Sequence, residues 1–64
     1  MSDHKTLAYV AREIVKLRQE QETFLAAGRV ANFDEYRHVC GVIRGLNHAE
    51  SIINDLVQRI EHDD

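Results

Sequence analysis

The chain has 64 residues, a net charge of −3 and one cysteine, Cys40. That length and composition exclude a second domain, an internal disulfide and the basic surplus of a general nucleic-acid binder. Proline is absent and glycine occurs three times. The composition therefore favours helix, in a chain so short that it needs regular helix packing or association for stability.

No apolar run approaches the ~20 residues of a membrane span. Met1-Ser2-Asp3-His4-Lys5 lacks the basic-then-apolar order of a signal peptide. Synthesis in the cytoplasm, without membrane association, is the expectation, and a lone thiol suits a reducing compartment.

The first predicted element is a helix over about residues 3–27. Leu7, Val10, Ile14, Leu17 and Phe24 alternate spacings of three and four, with Gln21 in the remaining slot, which makes a coiled-coil seam. Ala11 and Leu25 widen the stripe. Arg12, Lys16 and Arg18 against Glu13, Glu20 and Glu22 predict a mixed, solvated face.

The turn is Gly28-Arg29-Val30-Ala31-Asn32, residues 28–32. Gly28 stands where a helix ends in a left-handed residue. Asn32-Phe33-Asp34-Glu35 predicts a capping box: the Asn32 side chain accepts from the Glu35 amide, and Glu35 reaches back to the Asn32 amide.

A second helix is predicted over about residues 33–61. Its stripe is Tyr36, Val39, Ile43, Leu46, Ala49, Ile53, Leu56 and Ile60, with an extra spacing of three near Ala49 that reads as a stammer. The charged tail Glu61-His62-Asp63-Asp64 is expected to fray.

A short connection makes the helices antiparallel neighbours, level where residue numbers sum to about 60. Leu7 then falls near Ile53, Ala11 near Ala49, Ile14 near Leu46, Leu17 near Ile43 and Phe24 near Tyr36. The predicted fold is all-α: an antiparallel two-helix hairpin, coiled-coil-like, completed by oligomerisation or by docking on a larger protein.

One seam leaves apolar residues over. Ala8, Val15, Val42, Ile52 and Val57 fall on the flanks, and a patch of that size predicts a docking surface. Gly41, Gly45 and Ala49 recur every fourth residue, a small-residue groove where another backbone could come close. Arg37, Arg44 and His48 share a face with Gly41. A helix-turn-helix would send that face into DNA, but the supporting charge is thin, so Arg37 and Arg44 are read as the rim of a protein interface.

Constellations for chemistry are weak. Glu35 and His38 have the Glu-x-x-His spacing of di-iron bundles, but Glu35 is committed to the cap and the first helix offers no carboxylate on its stripe. His4, His38, His48 and His62 have no ligand spacing among themselves or with Cys40. Cys40 reads as a small packed hydrophobe. No catalytic residue, metal or cofactor is expected, and the chain is not expected to be an enzyme.

The run GRVANFDEYRHVCGVIRGLNHAESIINDL, residues 28–56, resembles small reading frames of tailed bacteriophages that lie among capsid and portal genes. The matching features are the glycine before the break, the F-D-E-Y-R opening, the C-G-V-I-R-G-L core and the following I-x-D-L. The resemblance implies a virion structural protein, present in many copies, docking on a larger virion protein or on sister copies in the capsid, portal or tail. The alternative is a small adaptor or regulator that binds one host or phage protein through the same surface.

Overall fold

The computed structural model describes residues 3–62. Two helices, α1 (Asp3–Ala26) and α2 (Phe33–His62), pack side by side as an antiparallel hairpin. The chain is all-α, as its periodicity predicts. α2 runs on through His62, so Glu61 and His62 continue the helix rather than fray, while Asp63 and Asp64 lie outside the described residues.

The break follows from local chemistry. The Ala27 amide donates to the Thr23 carbonyl at 2.9 Å and the Gly28 amide to Leu25 at 3.0 Å. Gly28 has φ of 70°, a left-handed conformation that glycine adopts without steric penalty. Asn32 then caps α2: the Glu35 amide donates to its Oδ1 at 2.8 Å, and the Tyr36 amide to its carbonyl at 3.0 Å. The return arm of the box differs from expectation. Glu35 Oε1 accepts from the Ala31 amide at 3.0 Å, one residue upstream of Asn32. Asp34 and Glu35 fill the first turn, where the helix dipole favours anions.

The seam keeps an unbroken period of seven. Val39 is buried at 4% exposure, and Leu46, Ile53 and Ile60 follow it half-buried. On α1 the matching row is His4, Ala11, Arg18 and Leu25, all half-buried. No stammer is needed at Ala49, because α2 turns a three-residue-wide stripe inward: Val42 and Ala49 on one side of the row, Ile43, Glu50 and Val57 on the other.

This seam is rotated from the one expected. Val10, Leu17, Tyr36 and Leu56 are exposed, so Leu17 and Tyr36 are not buried partners of Ile43 and Phe24. Tyr36 stacks instead on Phe33, ring centroids 6.2 Å apart. The reason is packing width: an inward stripe three residues across turns Ala8, Ala11 and Val15 of α1 half-buried toward α2 in place of Val10 and Leu17.

Polar links span the helices. Arg18 pairs with Glu50 and donates to Asn47 Oδ1 at 2.9 Å, and His4 Nε2 meets Glu61 Oε1 at 2.6 Å. On the expected register Arg18 is level with about residue 42; its partners lie more than a turn further along α2. Helical side chains lean toward their own N-terminus. In an antiparallel pair the two leans converge, so each α1 side chain meets an α2 residue farther from the turn than the one level with its Cα.

The product is a rod with principal extents of 50 × 17 × 13 Å. Its radius of gyration is 14.8 Å, against about 11 Å for a compact domain of this length.

Candidate interaction surface

Of the residues expected to form an interface, Ala8, Val15, Val42 and Val57 are half-buried in the hairpin itself. They belong to the flanks of its own seam and are only partly available to a partner. Ile52 differs: it is 68% exposed. Arg37, Arg44, Gly41 and Gly45 are also exposed. A Cβ placed on Gly41 or Gly45 would meet nothing within 4 Å, so the two glycines leave an open trough on α2. Ala49 turns inward and is not its floor.

The rotated seam brings out a face that the periodicity reading missed. On α1, Val10, Leu17 and Phe24 recur every seventh residue beside the seam; on α2, His38, Gly45, Ile52 and Arg59 do the same. Both rows are displaced from the seam in the same rotational sense. Two right-handed helices running antiparallel place such rows on the same side of the hairpin. That side carries exposed Val10, Leu17, Ile52 and Leu56, with Gly41 and Gly45 between them. Two shallow grooves open on it: one near the turn, with Gln21, Phe24, Glu35 and His38 in its walls, and one between Ile52 and Leu56. The opposite side bears Arg12, Gln19, Asn47 and Asn54, and near the turn Cys40 with the exposed, stacked Phe33 and Tyr36. The heptad count that finds this face was available once Arg18 was placed on the inward row with Ala11 and Leu25.

The charge along the edges of the apolar side is uneven. The α1 edge carries Asp3, Glu13 and Glu20. The α2 edge carries His38, His48 and Arg59, with Arg37 and Arg44 just behind, and Asp34 and Asp55 among them.

Other candidates for chemistry do not assemble. Glu35 is held by the cap and His38 is exposed. Among the described residues no three His, Cys, Asp or Glu side chains converge as metal ligands, and no helix is long and apolar enough to cross a membrane. Cys40 is half-buried with a free thiol. Its hydrogen bond with Tyr36, and then the charge the thiol takes on when ionised, push the Tyr36 hydroxyl above the usual tyrosine range. Arg18 is a link that sequence reading assigned to a solvated face. It is instead half-buried between the helices, with Glu22 also 4.0 Å from its Nε. Comparison with protein-family models, with curated proteins and with solved structures gives no match for this chain.

Proposed function

We propose that this chain is a small structural protein of a tailed-bacteriophage particle that works by docking its apolar side onto a protein surface, without catalysis, metal or nucleic acid. The observation that carries the docking part is the exposure of Leu17, Ile52 and Leu56 around the Gly41–Gly45 trough, on one side of a hairpin whose only buried apolar residue among the described residues is Val39, at 4% exposure. Exposed contiguous apolar surface on a small soluble fold marks a contact site. The assignment to a particle rests on the resemblance of residues 28–56 to phage frames near capsid and portal genes. Charged rims would set the orientation of docking.

The test is the protein composition of purified particles from infected cells. The chain should be present in a fixed, repeated stoichiometry and resist a salt wash. Its absence from particles, with recovery on a single protein from the infected-cell extract, would replace this reading with the adaptor one.

A further inference from the structure

The partner that best fits the apolar side is a second copy of the same chain: we infer a two-fold dimer forming an antiparallel four-helix bundle, with Leu17 of each copy seated over the Gly41–Gly45 trough of the other. This deepens the docking reading by naming its occupant, and it does not depend on the particle.

Area is the first support. The accessible surface is 5072 Å² for a 7.4 kDa chain. Folded monomers of that mass expose about 4,200 Å². The excess, on the order of 900 Å², is close to the ~800 Å² that each partner contributes to a standard interface.

Charge is the second support, and it selects the arrangement. Two hairpins can pack these sides together with the two-fold axis along the helices or across them. Across them, α1 lies antiparallel on its own copy, and the edge carrying Asp3, Glu13 and Glu20 runs along the same acidic edge of the partner. Along them, α1 lies on the other copy's α2, antiparallel, and every residue keeps its height in the rod. Asp3 then comes level with Arg59, Glu13 with His48, and Glu20 with the Gly41–Arg44 turn. Asp34, an acidic residue on the α2 edge, comes level with the turn that carries Arg29. Asp3 and Glu20 thus come level with Arg59 and Arg44, and opposite charges of this kind along an edge orient an association.

Shape is the third. In the same arrangement Val10 is level with Ile52, and Leu17 with Gly45. A large exposed side chain on each α1 thus stands beside the two positions of α2 that carry no side chain, and both Gly41 and Gly45 have room for it. Close approach of this kind is what offsets the low helix propensity of two glycines one turn apart.

The test uses the full chain with Cys40→Ser throughout. Sedimentation equilibrium should give a dimer. Leu17→Glu should weaken it by about tenfold or more, as for a central contact, and Asn54→Glu, on the opposite side, should leave it unchanged. Single-cysteine chains then read the arrangement. A mixture of Leu17→Cys and Gly45→Cys should form a disulfide-linked pair under mild oxidation, while Leu17→Cys alone should not. A monomer at all concentrations, or a dimer broken by Asn54→Glu rather than Leu17→Glu, overturns the proposal. Cross-linking of Leu17→Cys to itself overturns the arrangement. A monomer that still enters particles would defeat the dimer and leave the docking function standing; a dimer absent from particles would do the reverse.

Discussion

Tyr36 and Cys40 sit one turn apart on α2, outside the seam, and their interaction can be read directly. Because Cys40 holds the Tyr36 hydroxyl above its ordinary range, Cys40→Ala should move the phenolate titration of Tyr36, read by absorbance, back down toward that of a free tyrosine. A group whose pKa is raised on folding contributes fully below its unfolded value, so the contribution is lost as pH rises through the folded value, and only alkaline solutions should reveal it. A second residue, Asn32, carries the cap. Asn32→Ala removes the acceptor for the Glu35 amide and should cost about 1 kcal/mol, read as a lower melting temperature. Both residues stand differently with respect to sequence. The cap was legible because its partners lie within four residues. The Tyr36–Cys40 interaction was not, because i and i+4 neighbours off the seam take whatever rotamers the flank allows.

At the scale of the helices, the lengths, the break and the antiparallel pairing were legible from spacing and turn chemistry. The rotation of the seam was not. Leu17 and Ala11 compete for the same inward arc, and apolar size alone favours leucine; packing favours the small residue because two broad stripes can then approach closely. Arg18 was misplaced for a related reason: its charge suggests solvent, yet its long stem crosses the interface and its guanidinium reaches Glu50 and Asn47. Arg18→Ala leaves a half-buried Glu50 without its cation and should destabilise the hairpin by about 1–2 kcal/mol, whereas Arg18→Met with Glu50→Met should recover most of that loss. Thermal melts of Arg18→Met, of Glu50→Met and of the double measure the coupling. Gly45 offers a separate handle on α2. Gly45→Ala should raise helix stability by up to about 1 kcal/mol. Gly45→Leu should keep helix content by circular dichroism but fill the trough and lower the association constant, since overpacking a close contact costs about 1–3 kcal/mol.

The whole molecule is a thin rod with one nearly complete core residue and a wide apolar side. Such a hairpin gains stability from mass action when it associates. Helicity and melting temperature should therefore rise with protein concentration, and a melt independent of concentration would show that the two helices suffice. A surplus of apolar residues beyond one seam was visible in the sequence. The side on which Leu17, Ile52 and Leu56 lie exposed was not, because it depends on the seam rotation, which sequence periodicity placed one row away.

His4 and Glu61 meet at one end of the rod, and the Gly28–Asn32 turn stands at the other. In the proposed dimer, a two-fold axis along the rod preserves that difference: both turns emerge together, and so do both His4–Glu61 pairs. The pair is then a peg with a head and a foot. It would tell up from down when inserted in a surface, with both Gly28–Asn32 turns on one side and both His4–Glu61 pairs on the other.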